Sequence, residues 1–330
     1  MEHIIQRVLL NYNIIGYNAI KNGKCYIIDC GEDKFILNSH RRNKKGIKEL
    51  FQFKEDIYNN GFRKTSRVVK SNNGNSYIIT KDRIYYLTTY IENENKMELA
   101  QFYKSTMQVL RNFHRCTKEL HPEKYRLKRE YGKTIDKYIR RLVFLVNLKQ
   151  ELNMKIIKAP LDSKVYDILN AYDNIFEKCL LILRSVVPKS SEKLLRYKFC
   201  ISNLGLDNFG EVEGKILLRD IPKIKQSYYL TDLGSLLNSI ENSSSIKWSY
   251  SFFEELVKTY NKEEAFIDEE IYLLYCFTIF PYRLYEICKG IYKKQNTSNI
   301  NILRNEFDYL IEVKENLDLW IKKFEEKYNM

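Results

Sequence analysis

Two neighbouring stretches decide the fold of this chain: Cys200-Ile-Ser-Asn-Leu-Gly-Leu-Asp-Asn208 and Ile216-Leu-Leu-Arg-Asp220. The first predicts a polar loop, and the second predicts an apolar strand that ends in a carboxylate. Another acid, Asp232, lies twelve residues further on, where a helix is predicted to start. An Asn amide oxygen and an Asp carboxylate can hold one divalent ion between them if the loop and the strand end lie together. Asn and Asp also form turns and caps, so the pattern leaves a purely structural role open.

The residues before this region predict a small antiparallel sheet with one helix. Short runs rich in Ile and Tyr alternate with turn residues, and Asn22-Gly23 is a strong signal for a two-residue hairpin. The five predicted strands cover 14–20, 24–30, 34–38, 76–80 and 84–90, and the predicted helix covers 46–60. Gly61 follows this helix at a position typical of a helix end.

From residue 97 onward the sequence predicts helices, interrupted by a helix-poor region at 190–232. The predicted helices cover 98–118, 131–153, 165–183, 233–238, 248–260, 269–292 and 303–328. A polar stretch at 91–96 separates the two patterns. The sequence therefore predicts an α+β protein with an N-terminal lobe at 1–92 and a C-terminal helical lobe at 93–330.

Composition and charge limit the class of protein. The net charge of +13 is compatible with an anionic partner, but the abundance of Lys, Asn, Ile and Tyr is also typical of AT-rich coding, and no nucleic-acid partner is expected. The seven Cys form no CxxC pair, which argues against a zinc site or a disulfide framework and favours buried thiols in a reducing compartment. The apolar run at 271–282 is too short to span a bilayer, so no membrane partner is expected either.

One basic run is interleaved with Tyr and includes Lys133, Lys137, Arg140 and Arg141. Such a run can bind an anionic polymer or an acidic protein. A solvated helix face explains it more simply, so the sequence assigns it no function.

The order of parts resembles the protein-kinase-like fold, and several motifs resemble CotS-type spore coat proteins, relatives of the aminoglycoside and choline kinases. Residues 85–92 resemble the last N-lobe strand and hinge of that family, and 108–115 resemble its "LA-x-LH" helix. Residues 200–208 resemble its catalytic loop, usually C-H-x-D-x-x-x-x-N, and 279–285 resemble its C-terminal helical signature. The resemblance covers nearly the whole chain and implies a small β lobe and a larger helical lobe.

Carried over residue by residue, the resemblance implies a degenerate catalytic loop. Asn203 falls at the position of the catalytic base, where the family has an Asp, and a neutral amide cannot accept a proton from an attacking hydroxyl. Ile201 replaces the His that usually stands two residues earlier. Asp207 is a candidate substitute base.

The phosphate and metal positions are partly retained. The metal-binding pair falls on Asn208 and Asp220, which would act only if Mg²⁺ binds, and Arg219 stands before Asp220 where an apolar residue is expected. The phosphate-pairing Lys falls on Asn38, so that cation is expected to be absent, and its helix partner falls on Glu55.

Asp232 is expected to have a structural role. In kinase-like folds the corresponding acid accepts hydrogen bonds from the backbone of the catalytic loop. Thr231-Asp232 would also make a good N-cap for a helix that starts at Leu233.

The expected loss of catalytic rate favours a pseudokinase. Losing a general base costs about 10²–10⁴-fold, losing a charged phosphate clamp costs roughly a further 10²–10³-fold, and kinase turnover is about 1–100 s⁻¹. The resemblance then implies a binding scaffold without a cofactor, made in the cytoplasm and incorporated into the spore coat with other coat proteins as partners. Two alternatives stay open: an ATP/Mg-dependent small-molecule phosphotransferase, and a regulatory pseudokinase that binds nucleotide weakly. The oligomeric state is not predicted.

Overall fold

A computed structural model describes residues 2–23, 25–41, 46–91, 96–125, 130, 133–186, 197–201, 204–221, 224–243, 245–262, 265–294 and 300–330. The chain forms two compact units. The first comprises Met1–Lys128 and Asp207–Ile224, and the second comprises Arg129–Leu206 and Lys225–Met330. The first unit therefore includes the helix at 99–116 and the hairpin at 209–218, which the sequence analysis placed in the C-terminal lobe.

Helices and strands are interspersed along the chain. The described helices are α1 Glu2–Leu10, α2 Ile47–Asn59, α3 Leu99–Cys116, α4 Lys133–Met154, α5 Pro160–Ala171, α6 Asp173–Val186, α7 Leu230–Glu241, α8 Tyr250–Tyr260, α9 Asp268–Ile279, α10 Tyr282–Lys294, α11 Ile300–Glu312 and α12 Lys314–Tyr328. The described strands are β1 Asn18–Asn22, β2 Cys25–Asp29, β3 Lys34–Arg41, β4 Val68–Val69, β5 Ile78–Ile79, β6 Arg83–Thr89, β7 Tyr197–Ile201, β8 Phe209–Val212, β9 Lys215–Leu218 and β10 Ile224–Tyr228.

The first unit is built on an antiparallel sheet in the order β1-β2-β3-β6-β4, with β5 also paired to β6. Within the described residues it has six strands, so the predicted five omitted one. The missing strand is the two-residue β4. The first strand also begins at Asn18 and not at Ile14, because Ile14 packs against the buried cluster beside the sheet.

Helix α1 was not predicted. Its residues Ile5, Val8 and Leu9 follow the helical i, i+3, i+4 spacing and are buried together with Leu37 and Leu87 of the sheet. Burial of this apolar stripe explains why such a short helix is stable here, since isolated helices of this length are marginal in water.

Helix α2 forms as predicted from its amphipathic pattern and buries Ile47, Leu50, Phe51, Phe53 and Ile57. The Phe51 ring packs edge-on against the Tyr86 ring of β6, with the two centroids 5.0 Å apart. The helix ends before Gly61, whose φ of 93° favours glycine. This packing fixes the orientation of α2 relative to the sheet.

The second unit is mainly helical, and three long predicted helices are each two helices. The prediction of 165–183 corresponds to α5 and α6, that of 269–292 to α9 and α10, and that of 303–328 to α11 and α12. The break between α9 and α10 has a local cause. Pro281 disfavours helical geometry at the residue before it, and Phe280 is extended, with φ −55° and ψ 128°.

Most cysteines are core residues, as predicted. Five of the seven are buried and two, Cys25 and Cys30, are partly exposed. Burial raises the pKa of the Cys276 thiol well above its usual range. The buried thiols therefore behave as small apolar groups and not as reactive nucleophiles.

The small antiparallel sheet and the larger helical part confirm the predicted α+β fold class. In the part of the chain that the structure describes, no helix is both long and apolar enough to cross a bilayer.

The buried carboxyl of Glu241, at the end of α7, makes stability depend on pH. Burial raises the pKa of Glu241 well above its usual range, and the nearby main chain of Ser249 offsets this only in part. The folded protein thus holds this proton more tightly than the unfolded chain, so its contribution to stability is present at low pH. That contribution is lost as the pH rises above about 4.3 and through the raised folded-state pKa.

Replacing Glu241 by Gln removes the ionisation. Relative to the parent, Glu241→Gln should have a higher melting temperature at pH 8, and the gain should shrink at pH 5. Thermal unfolding at the two pH values checks this. A gain of the same size at both values would show that Glu241 does not ionise on unfolding.

Candidate functional site

The first unit holds an ion pair at the end of β9. Asp220 follows this strand, and its Oδ1 lies 2.6 Å from Nζ of Lys54 on α2. The Lys54 side chain is 9% exposed and the Asp220 side chain 25%. The Lys54 ammonium also lies 5.4 Å from the centroid of the Tyr86 ring. An ion pair this shielded from water is screened by salt less than a surface pair.

Asn38 lies on β3, next to Tyr86 of β6. It is the register partner of Tyr86 across the β3–β6 pairing, so both side chains are on one face. A lysine at 38 would therefore project toward the region where the Lys54 ammonium lies. Position 38 itself carries no cation, and Lys54 of α2 places one beside Asp220.

Glu55, the predicted helix partner of the missing lysine, is engaged elsewhere. Its Oε1 lies 2.7 Å from Nζ of Lys70, and both side chains are more than 40% exposed. Successive residues of a helix point about 100° apart, so Lys54 and Glu55 occupy different faces of α2. The residue of α2 that contacts Asp220 is therefore Lys54.

The β8–β9 hairpin connects the two metal-type ligands, Asn208 before β8 and Asp220 after β9. The main-chain N–H of Arg219 donates to the carbonyl oxygen of Asn208 at 2.7 Å, so the residue next to Asp220 contacts Asn208. Both carry oxygen ligands of the kind that Mg²⁺ prefers. Asp207, the candidate substitute base, is exposed on the short turn before β8.

Arg219 stands directly before Asp220 and packs beside Gly210. A Cβ on Gly210 would come within 2.9 Å of Nε of Arg219. The absence of a side chain at Gly210 therefore makes room for the guanidinium. Among the described residues Arg219 forms no ion pair with Asp220. The charge that offsets Asp220 is that of Lys54.

The Asp220 carboxylate also influences its neighbours. Burial, followed by the negative charge of Asp220, raises the pKa of Tyr86 beyond its usual range. Burial is likewise the main cause that raises the pKa of Cys25, with Asp220 contributing. Both groups are therefore neutral at physiological pH, and Cys25 is not an activated thiol.

The second unit holds Asp232 against the end of β7. Oδ2 of Asp232 accepts the Ile201 main-chain N–H at 2.8 Å, and Asp232 is 2% exposed. Helix α7 begins at Leu230 with Tyr229 as its N-cap residue, so the predicted start at Leu233 and the capping role of Thr231-Asp232 are wrong. Asp232 instead satisfies a buried backbone donor next to the loop. Asn203 lies outside the described residues.

The Lys54–Asp220 pair makes a prediction about stability. Lys54→Ala leaves a partly buried carboxylate without its cation and should lower the free energy of unfolding by about 1–2 kcal/mol. The matched control is Lys70→Ala, which breaks the exposed pair with Glu55 and should cost below about 1 kcal/mol. Urea unfolding of both variants checks the difference. Equal losses would show that the Lys54 pair is as solvated as the surface pair.

No protein-family model matches the sequence, and no curated protein matches it. Solved structures do match. An aminoglycoside phosphotransferase from Alicyclobacillus acidocaldarius has a TM-score of 0.81 at 14% identity, over 98% of this chain and 96% of that one. A spectinomycin phosphotransferase has a TM-score of 0.66 at 13% identity, over 96% of each chain. A microcompartment-associated aminopropanol kinase has a TM-score of 0.63 at 14% identity, over 98% of each chain.

At these identities the likeness establishes the fold. It covers nearly the full length of the chains compared, and it agrees with the small antiparallel sheet followed by the larger helical part. The chain therefore has the protein-kinase-like fold found in these phosphotransferase and kinase structures.

Proposed function

We propose that this chain is a pseudokinase, a kinase-fold binding protein that transfers phosphate far more slowly than an ordinary kinase. The Lys54–Asp220 ion pair carries the proposal. A Mg²⁺ ion at the retained metal position would have to share the Asp220 carboxylate with an ammonium group 2.6 Å away. The uncharged Asn203 at the position of the base adds to this, because an amide does not take up the proton of an attacking hydroxyl.

A second candidate function is an ATP/Mg-dependent phosphotransferase that acts on a small hydroxyl or amino compound. The position of Lys54 favours it, because an ammonium beside Asp220 and Asn38 could pair with a nucleotide phosphate. Asn208 and Asp220 would then hold the metal, and Asp207 is the nearest carboxylate in the sequence to replace Asn203. The solved structures with this fold are named as phosphotransferases and kinases, which also supports this candidate.

The biological setting of the proposal comes from the CotS-type motifs alone. They support synthesis in the cytoplasm, incorporation into the spore coat, and other coat proteins as partners. Binding through surfaces of the fold is the activity that such a setting requires.

A nucleotide titration separates these functions. A scaffold should show no rise in melting temperature with ATP and Mg²⁺. A ligand present at a hundred times its Kd would stabilise the protein by about 2.7 kcal/mol, which is a shift of several degrees. The variants are Asp220→Ala and Lys54→Met, and Lys70→Met is the matched control for the loss of one lysine.

Each outcome selects one function. A rise that Asp220→Ala abolishes and Lys70→Met retains shows nucleotide binding at this site. The same rise without phosphate transfer selects the regulatory pseudokinase, and the rise with transfer selects the phosphotransferase. Either result contradicts a scaffold that uses no nucleotide.

A further inference from the structure

The second unit contains a cleft of about 750 Å³. Its walls come from α4, the loop after β7, β10, α7 and α10. The volume is in the range of sites that enclose small molecules. All of its lining residues belong to the second unit, and Ile201 and Leu204 among them flank Asn203 in the loop that resembles the catalytic loop.

Basic side chains dominate the charge of this cleft. The five basic lining residues are Lys137, Arg141, Lys225, Arg283 and Lys289, and the two acidic ones are Asp232 and Glu286. One of the acids is already engaged, because Asp232 accepts the N–H of Ile201. The lining therefore favours an anion over a cation.

Acidic partners engage at least three of the basic groups. Lys225 lies 3.1 Å from a carboxylate oxygen of Glu130, and Lys289 lies 3.1 Å from one of Glu286. Arg283 pairs with Glu306. These pairs reduce the charge that such groups can offer a ligand.

Arg141 differs from these three. It is half-buried, and its guanidinium carbon lies 5.0 Å from the ring centroid of Tyr285 and 5.5 Å from that of Tyr282. Among the described residues no carboxylate pairs with it. The hydroxyls of Tyr138 and Tyr282, which flank the same place, are hydrogen-bonded to each other. The aromatic rings thus hold the guanidinium in place, and none of the described carboxylates pairs with its N–H donors.

Lys137 lies one helical turn before Arg141 and on the same face of α4. A planar guanidinium with a second cation one turn away suits an oxyanion, since Arg can donate two parallel hydrogen bonds to a carboxylate or phosphate. We infer that this cleft binds a small molecule that carries an oxyanion group, with Arg141 as the residue that pairs with that group. Because the cleft borders the loop at 200–208, the inference rests on the proposed binding function and names a ligand class for it, and binding of that class does not require phosphate transfer.

The test is calorimetric titration of the full chain with matched probes. Glucose 6-phosphate and succinate present a phosphate ester and carboxylates, and glucose and choline are the neutral and cationic comparisons. We expect one or both oxyanion probes to bind and both comparisons to fail. The probe that binds identifies the type of oxyanion.

Two neighbouring arginines provide the control. Arg141→Gln should weaken oxyanion binding by about tenfold or more, because it removes charge-assisted hydrogen bonds. Arg140→Gln removes the same charge from an exposed position outside the cleft and should leave Kd unchanged. Arg141→Lys, which keeps the charge without the planar fork, should lie between them and is also the variant to use if Arg141→Gln does not fold.

Three results would overturn the inference: equal binding by Arg141→Gln and Arg140→Gln, tighter binding of choline than of either oxyanion, or no binding of glucose 6-phosphate and succinate. The two titrations use different ligands and different variants, so a failure of this inference is distinguishable from a failure of the proposed function.

Discussion

Gly234→Ala should lower the free energy of unfolding by about 3 kcal/mol. Gly234 lies in α7 where this helix meets α9, and a Cβ placed on it would come within 2.4 Å of Cβ of Phe277. It would also lie 3.2 Å from the Phe277 carbonyl carbon, so no rotation of the Phe277 side chain can relieve the clash. The two helices would have to separate, which is the kind of overpacking that costs about 1–3 kcal/mol or more.

Gly290→Ala is the matched control for that substitution. Gly290 lies inside α10, and a Cβ on it would meet no atom within 4 Å. The change should raise stability by about 0.5–1 kcal/mol, because Ala loses less conformational entropy in a helix than Gly. Urea unfolding of both variants should therefore give shifts of opposite sign. A neutral Gly234→Ala would show that α7 and α9 are not in such close contact.

Asp232→Ala should cost a similar amount, about 3 kcal/mol. It removes a charged acceptor and leaves the buried Ile201 N–H without this partner. The loss should also appear locally, as faster hydrogen exchange of the Ile201 amide. Unfolding by urea and amide exchange together measure the two effects.

Two other substitutions test the cause of that loss. Asp232→Asn keeps an oxygen acceptor and should lose less stability than Asp232→Ala. Asp207→Ala removes an exposed carboxylate and should change stability by less than about 0.5 kcal/mol. If Asp232→Ala were as mild as Asp207→Ala, the contact with Ile201 would contribute little to the fold.

Regular patterns of apolar residues in the sequence predicted the fold class and most of the helices and strands. The run of β-branched and aromatic residues in 84–90 identified β6, and the apolar stripe in 98–118 identified α3. The breaks inside long helices were missed because the apolar period continues across them. The break before Pro281 was available from the sequence, since proline rarely continues a helix.

The sequence also contained a signal for the N-terminal helix α1. Ile5, Val8, Leu9 and Tyr12 follow helical spacing, and all four are buried. The segment is short, and its stability comes from contacts with the sheet that a local pattern does not contain.

The chemistry of the site was predicted only in part. The sequence motif gave Asp220 and Asn208, but not the residue that pairs with Asp220. Lys54 continues the stripe of Leu50, Phe51 and Ile57 along α2, so a charged residue in a buried stripe was the available signal. Its partner is 166 residues away in the chain, and only the tertiary fold brings the two together.

Lys54 changes the argument for a pseudokinase. A site with an ammonium beside Asp220 is not without positive charge, so the factor assigned to a missing phosphate clamp is not used. Slow phosphate transfer is then expected from the uncharged Asn203 and from Asp220, whose carboxylate is paired with Lys54. The loss of the base alone lowers turnover by about 10²–10⁴-fold from the usual 1–100 s⁻¹.

The most direct measurement is the rate at which purified protein moves the γ-phosphate of ATP, with Mg²⁺, onto an aminoglycoside, spectinomycin, aminopropanol or choline. We predict turnover below about 1 s⁻¹ on every acceptor. Asn203→Asp, which restores a carboxylate at the position of the base, serves as the comparison variant. Transfer by the unaltered chain at the rate of an ordinary kinase on any of these acceptors would contradict the account.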